Sequence, residues 1–253
     1  FGLFFIFAAI EYIFPRRTTV KSKARRWITN WSITILNTLT LRLFSVALPL
    51  LAIGAAFDAQ NLNVGFFNRI NFSYWVEFLL VILILDFAIW LQHLLTHKIG
   101  FLWRIHRVHH SDTQMDVSTA IRFHPIEIAL SMVLKIGLVY ALGADPLSIL
   151  FFEILLNGSS MFNHANIKIP TQIDKVLRLF IVTPDMHRIH HSSDRNEHDT
   201  NFGFALSVWD RFFRTYKDYP QTKHEDMELG LNWQDEKPEK LGWSLALPFR
   251  KNE

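Results

Sequence analysis

The sequence contains no cysteine among its 253 residues. A disulfide framework and a thiolate metal site are therefore both excluded, and a bound metal would need histidine, carboxylate or amide ligands. Charge is also scarce: 19% of the residues are charged and the formal net charge is +3, so no nucleic-acid partner is indicated. Half of the residues are hydrophobic, including 23 Phe and 8 Trp, which is typical of a membrane protein.

Several common catalytic signatures are missing as well. The sequence has no H-E-x-x-H of zinc metalloproteases, no G-x-x-x-x-G-K-[ST] phosphate loop and no G-x-S-x-G serine-hydrolase turn. A haem protein would need only one or two axial histidines, and this chain has 12 histidines. Proteolysis of that type, nucleotide hydrolysis and haem chemistry are accordingly disfavoured.

Apolar runs near the length of a membrane helix, roughly 20 residues, recur along the chain. The second run contains Arg42 and Pro49, and the last two flank a Gly-Ala-Asp turn. Those last two form either a transmembrane hairpin or helices that enter the bilayer only partly. We predict an all-α, polytopic bundle of about four or five membrane helices from the runs at 1–14, 31–57, 74–92, 126–142 and 146–162.

Loop charges predict the orientation of this bundle. Residues 15–30 hold six Lys or Arg and residues 58–73 hold one, so the first loop is expected in the cytoplasm. The third run then returns to the cytoplasm at His93. After about Asp185 the chain becomes polar, which predicts a histidine-rich cytoplasmic cap. We expect one membrane-embedded domain over 1–253, with leading helices at 1–72, a catalytic histidine core at 73–220 and a cytoplasmic tail at 221–253.

Eight of the 12 histidines fall in three tight groups. The first group has i, i+4 spacing and the other two have the pattern H-x-x-H-H, so in a helix each group presents its imidazoles on one face. Imidazole binds Fe, Zn, Cu and Ni, so spacing alone does not select the metal. One zinc takes three or four protein ligands, so eight histidines suit two ions. The predicted ligands are His93, His97, His106, His109, His110, His187, His190 and His191.

Four further histidines stand alone in the sequence. His164 and His124 lie at the cytoplasmic ends of the predicted hairpin, level with the three groups, and we predict both as additional metal ligands. Packing at the membrane interface is the competing interpretation for each. His198 and His224 lie in the polar region and are expected to be solvated.

A few polar residues near the histidines are candidates for orienting the ligands. Asp86 lies in an apolar run, seven residues before His93, and is interpreted as an acceptor for a ligating imidazole. An ion pair with Arg42 or Lys135 is the alternative. Hydrogen bonding to ligands is also predicted for Asp112, Asp185 and Asn163.

In the spacing of its histidine groups, the sequence resembles the fatty acid hydroxylase/sterol desaturase superfamily of integral-membrane di-iron oxygenases. The superfamily carries an H-x3-H, H-x2-H-H, H-x2-H-H series that the three groups match. "RFHPIE", "NHANIKIP", "VTPDMHRIHHS", "NFGFALSVWDRFF" and "LGWSLALPFR" also resemble bacterial members, in the branch with alkylglycerol monooxygenase-like proteins. The resemblance spans roughly residues 70–250. One departure is Ser160, which stands where some fatty acid hydroxylases have a further histidine.

The resemblance implies a centre of two iron ions, with zinc as a substitute, at the cytoplasmic membrane face. It implies O2-dependent hydroxylation of a C–H bond in a fatty acyl, ether lipid or sterol-like substrate, with no catalytic residue beyond the metal ligands. Electrons would come from a separate cytochrome b5-like or ferredoxin-like donor with its reductase. A bacterial inner membrane is favoured over the endoplasmic reticulum.

Other functions stay open at the sequence level. Desaturation would use the same ligands, because the same oxidant serves either reaction depending on how the substrate is placed. A zinc hydrolase or a metal carrier would be a metal-binding membrane protein without redox chemistry, and a scaffold with a degenerate site is a further alternative. A carrier should place metal ligands at mid-membrane depth on several helices, whereas only Asp86 lies deep here.

Overall fold

The computed structural model describes residues 2–18, 22–47, 51–70, 72–232 and 237–250, with the backbone alone at 44–47. Within these ranges the chain is helical and has no strand, which confirms the all-α prediction. The α-helices are α1 (Gly2–Ile13), α2 (Lys23–Ala47), α3 (Ala52–Asn61), α4 (Tyr74–Lys98), α5 (Gly100–His110), α6 (Pro125–Leu142), α7 (Pro146–His164), α8 (Thr171–Leu177), α9 (Pro184–His190), α10 (Arg195–His198), α11 (Val208–Phe212) and α12 (Leu241–Ala246).

Two of these helices are long and apolar enough to cross a membrane. α4 and α6 contain 18-residue windows of mean hydropathy 2.3 and 1.7, of which 39% and 22% are buried. A core helix of a water-soluble protein would be mostly buried, so the exposed apolar faces indicate a membrane protein. α1 is apolar but has only 12 residues. The total of four or five membrane helices stays a prediction.

The expected span at 31–57 is divided in the structure. α2 ends at Ala47 and the ten-residue helix α3 begins at Ala52, while Pro49 lies outside the described residues. α3 is too short to cross a bilayer, since roughly 20 residues are needed. It packs instead between α6 and α7, and its small side chains are fully buried there at Ala52, Ala55, Ala56 and Ala59. Small residues allow helix backbones to approach closely.

α6 and α7 form a helical hairpin. Pro125 and Pro146 occupy first-turn positions, where the missing N–H costs nothing, and α6 ends at Gly143 in the left-handed conformation, φ 66°. Lys135 Nζ lies 2.5 Å from Glu153 Oε1, and the two residues are equally far from the turn, so the helices run antiparallel. A Cβ on Gly65 would lie 2.2 Å from Gly143 N, so the loop after α3 presses directly on this turn.

The C-terminal segment packs against the histidine-bearing helix α5. Trp243 and Leu247 are buried with Val108 in one apolar cluster. Arg107, inside the first H-x-x-H-H motif, donates from Nη2 to the carbonyl oxygens of Leu247 and Arg250, at 2.7 and 3.0 Å. The described part of the predicted tail therefore covers the histidine core.

Candidate metal centre

Four helices bring the predicted ligands to one place. α4 supplies His93 and His97 from its last two turns, and α7 supplies His164 as its final residue. α5 and α9 supply the two H-x-x-H-H motifs, with His191 directly after the end of α9. Thr183 caps the N-terminus of α9, where its side chain accepts from Met186 N, and Pro184 follows at the first helical position. Every one of the nine imidazoles is buried, with at most 6% exposure.

The nine histidines divide into two groups. In each group, every residue offers one nitrogen within 4.8 Å of the others. His109 and His110 are consecutive but belong to different groups, and so do His190 and His191, so the two groups lie side by side. The first group is His93, His97, His106, His110 and His190, and the second group is His109, His164, His187 and His191.

Hydrogen bonds fix the ring orientation of five of these imidazoles. In each of the five, Nδ1 faces an oxygen atom and therefore carries the proton, which leaves the lone pair on Nε2. The partners of His93, His164 and His190 are backbone carbonyls at 2.7 Å, those of Phe202, Ser160 and Thr200 in turn. His109 faces the carbonyl of Arg122 at 3.3 Å, and His106 faces Glu127 Oε1 at 2.6 Å.

The Nε2 atoms of four of these five imidazoles, His93, His106, His109 and His164, lie close to other Nε2 atoms. In the second group, His164 Nε2 lies 3.0, 3.1 and 3.2 Å from the Nε2 atoms of His109, His187 and His191. In the first group, the Nε2 atoms of His93 and His106 are 3.2 Å apart.

In the pairs His109–His164 and His93–His106, neither Nε2 atom carries a proton. Each contact therefore brings two lone pairs together, unless a cation lies between the two nitrogens. Two nitrogens at 2.0–2.1 Å from one ion and at right angles to each other would be about 3.0 Å apart. The residues present therefore fit two metal ions.

Burial favours the neutral form of five of these imidazoles. Desolvation, with smaller contributions from neighbouring imidazoles, lowers the pKa of His109, His110, His187, His190 and His191 well below its usual value. A metal ligand must be deprotonated. These five imidazoles consequently need no proton loss at neutral pH before a cation binds.

His124 lies apart from both groups. Its Nδ1 accepts from Ile126 N at the start of α6, and its Nε2 donates to the carbonyl of Leu245 at 3.2 Å. Both ring nitrogens thus have protein partners, and His124 links the hairpin to the C-terminal segment. His124 belongs to neither histidine group, and its contacts match the packing interpretation.

The two histidines expected to be solvated are both largely buried. His198 stacks on Trp103, with centroids 5.2 Å apart and planes inclined by 14°. His224 Nε2 lies 3.7 Å from Asp185 Oδ2, and its side chain is 12% exposed. The expectation was wrong because the polar region folds back over α5 and α9.

Asp86 and Asn163 do not bond to the imidazoles. Asp86 Oδ2 accepts from Trp209 Nε1 at 2.8 Å, so it ties α4 to α11. Its predicted alternative partner Lys135 pairs with Glu153 instead. Asn163 Nδ2 donates to the carbonyl of Phe204 at 3.0 Å.

Asp112 and Asp185 also bind arginines and no imidazole of the two groups. Asp112 receives two bonds from Arg26, at 2.6 and 2.8 Å. Burial alone would raise the pKa of this carboxyl, but the Arg26 guanidinium holds it well below its usual range. Asp185 pairs with Arg16 and Arg188. These pairs brace the segments that carry the ligands.

Two functional residues, Glu127 and Asp210, were not predicted from the sequence. Glu127 is the only described side-chain carboxylate that contacts an imidazole of the two groups within 3 Å. Asp210 accepts from the backbone N–H groups of Phe202 and Gly203, at 2.9 and 2.8 Å, and so fixes the carbonyl that orients His93. "RFHPIE" contained a signal for Glu127, an acid in the first turn of an apolar helix.

A cavity of about 300 Å³ reaches the first group from between α2, α4, α6 and α7. His93, His106 and Glu127 bound it on one side, and its wall carries the Lys135–Glu153 ion pair. Threonine, asparagine and glutamine side chains also line it, so its wall is partly polar. Ser160, at the position of the absent extra histidine, lines it too.

Comparisons with known proteins agree with this geometry. Ornithine lipid hydroxylase OlsE of Rhizobium tropici is 30% identical over 153 residues, 60% of this chain and 45% of that protein. Alkylglycerol monooxygenase of Homo sapiens is 28% identical over 149 residues, 58% of this chain and 31% of that protein. Cholesterol 25-hydroxylase of Rattus norvegicus is 26% identical over 151 residues, 57% of this chain and 48% of that protein.

The chain spans less than half the length of these relatives. No solved structure matches it. The sequence profile of the family described as fatty acid hydroxylase matches residues 78–215, more than half of the chain and the part that carries all nine grouped histidines. The protein therefore belongs to the fatty acid hydroxylase family.

Proposed function

We propose that this protein is an O2-dependent lipid hydroxylase whose two histidine groups each hold an iron ion. The observation that carries the proposal is the convergence of nine buried imidazoles, with Nε2 lone pairs 3.0–3.2 Å apart in both groups. When bound, two irons supply activation of O2 for attack on a C–H bond, which redox-inert zinc does not provide. Zinc would fit the same nitrogens as a substitute.

The residues of the chain have separable roles in this proposal. Glu127 holds the proton of His106 on Nδ1 and keeps its Nε2 directed into the first group. The carbonyls of Phe202, Ser160 and Thr200 do the same for three further imidazoles. The nearly complete burial of the ligands excludes bulk water from the centre.

The cavity beside the first group is the proposed binding site for the lipid. Its apolar wall includes Ile89 and Leu156, and it ends at His93 and His106. The Lys135–Glu153 pair and the amide side chains favour a lipid that carries polar groups. Relatives named for ornithine lipids and alkylglycerols agree with that choice. Desaturation of the same lipid would need only a different placement of the substrate.

We place the centre at the cytoplasmic face of a bacterial inner membrane. Six Lys or Arg in residues 15–30 support this orientation, because positive loops stay in the cytoplasm. The electron donor is then a separate cytoplasmic protein, with its reductase.

Isotope labelling tests the reaction. Cells that express the protein are grown under ¹⁸O2, and their lipids are analysed by mass spectrometry beside cells that express His109→Ala/His190→Ala, which removes one imidazole from each group. A lipid that carries one ¹⁸O atom only with the unaltered protein supports hydroxylation. A lipid that lacks two hydrogens and carries no ¹⁸O would indicate desaturation, and no altered lipid would contradict both.

A further inference from the structure

A second cavity opens beside the first histidine group. It has a volume of about 230 Å³ and shares no lining residue with the proposed substrate cavity. His97 reaches it from the first group, and Trp103 and His198 form part of its wall. Two separate cavities therefore reach the first group.

This second cavity is unsuited to a further cation. His97, His198 and Asp199 have metal-ligand spacing there. Asp199 Oδ2, however, already lies 3.0 Å from Lys98 Nζ and 3.7 Å from Arg195 Nε. With two cationic side chains on one carboxylate, the local charge favours an anionic partner.

Trp103 connects the cavity with the first group. Its ring centroid lies 4.9 Å from that of His97 and 5.4 Å from that of His110. Trp103 also stacks on His198, at 5.2 Å and 14°, and the His198 ring itself lies 5.8 Å from that of His97 and 6.1 Å from that of His110. A continuous series of π systems therefore runs from the cavity wall to two imidazoles of the first group.

The rim of the cavity is basic. The side chains of Lys98 and Arg195 are 47% and 81% exposed, whereas Asp199 is 21% exposed. Arg107 lines the interior of the cavity, where it is 5% exposed.

We propose, on the basis of the iron centre in the proposed function, that this rim docks a small acidic iron–sulfur protein that delivers electrons through His198 and Trp103. In each encounter the donor is oxidised by one electron and one ferric ion is reduced to ferrous, with no bond made or broken. Two encounters reduce both irons. The substrate cavity remains free throughout, because the donor approaches from the other route.

Binding tests the docking surface. The iron-loaded protein in detergent micelles is titrated with an acidic [2Fe–2S] ferredoxin at low and moderate salt. We expect Lys98→Glu/Arg195→Glu to weaken binding about tenfold or more at low salt, because charge complementarity is lost at the rim. Lys168→Glu/Lys175→Glu, which reverses two exposed lysines elsewhere, should leave the Kd unchanged. Equal Kd values for all three proteins, or equal weakening by both pairs, would overturn the docking site.

Reduction kinetics test the route. We expect Trp103→Leu to slow reduction of the iron centre by ferredoxin about tenfold or more, with iron content, ferredoxin Kd and reduction by dithionite unchanged, and Trp103→Phe to retain most of the rate. An unchanged ferredoxin rate in Trp103→Leu would overturn the route. Absence of any iron that dithionite reduces would instead refute the proposed function, so the two failures are distinguishable.

Discussion

Glu127 acts on the centre through a single imidazole. It lies 21 residues beyond His106, yet its Oε1 is 2.6 Å from His106 Nδ1. A carboxylate in this position fixes the tautomer and increases the basicity of the nitrogen that faces the metal. The other oriented imidazoles rely on backbone carbonyls, so His106 is the ligand that one substitution can change most cleanly.

Glu127→Ala should weaken metal binding to the first group about 10- to 100-fold, because His106 loses the partner that orients it. Competition between the purified protein and a chelator measures the affinity. Glu228→Ala, at an exposed carboxylate, serves as the control. An affinity equal to that of the unaltered protein would show that Glu127 does not support the ligand.

His224, which lies outside the two histidine groups, makes the stability of the folded protein depend on pH. Burial, aided by the nearby Arg188, lowers its pKa to about 4 despite the neighbouring Asp185. An unfolded imidazole has a pKa of about 6.5. Between these values the unfolded state binds the extra proton, so His224 makes the folded protein less stable as the pH falls from about 6.5 to 4.

His224→Gln should therefore reduce the acid sensitivity of the fold. Thermal unfolding of the metal-free protein is followed by circular dichroism at pH 7.5 and at pH 5. The variant is expected to lose less in Tm than the unaltered protein over this interval. An identical loss in Tm for the two proteins would mean that the pKa of His224 is the same in the folded and unfolded states.

At the scale of elements, α11 holds the cap to the membrane helix α4. Asp210 accepts from Trp90 Nε1 of α4 at 3.0 Å and from Thr215 Oγ1 at 2.6 Å, besides the N–H groups of Phe202 and Gly203. Trp209 donates to Asp86 from the same short helix. These bonds set the loop that orients His93.

Asp210→Asn should destabilise the protein by about 1–3 kcal/mol, because the new amide N–H₂ faces groups that donate and leaves at least one buried donor unpaired. Thermal unfolding measures the change, with Asp226→Asn at an exposed position as the control. The variant should also bind metal more weakly, since the carbonyl of Phe202 moves. A Tm within error of the control would contradict this role.

The spacing of residues in the sequence predicts the histidines of the site better than it predicts the groups that surround and orient them. The i, i+3 and i+4 patterns identified the eight clustered histidines that the structure brings together, and position along the chain added His164. The partners of these imidazoles are mostly backbone carbonyls, which no local pattern encodes. Glu127 is recognisable as an acid in the first turn of an apolar helix, but the sequence did not identify His106 as its partner. The division at Ala47 and Ala52 escaped as well, because hydropathy does not register the space between α6 and α7 that a short alanine-rich helix fills.

At the scale of the whole molecule, the centre lies where long apolar helices meet shorter ones. α4 and α7 bring histidines from the apolar bundle, whereas α5 and α9 bring them from shorter helices that pack against α4 and α7. The proposed substrate cavity opens among the membrane helices, and the basic cavity opens beside α10. This arrangement agrees with the proposed function, in which the substrate lies in the bilayer and the reductant is a soluble protein.

Metal content tests the central claim most directly. The protein is purified in detergent from iron-supplemented cells, and its metals are quantified beside His109→Ala/His190→Ala, one substitution in each group. Two irons per chain, largely lost in a double variant that remains folded, is the predicted result. Well under one metal per chain, retained equally by the variant, would contradict the account, because nine converging imidazoles would then bind no ion.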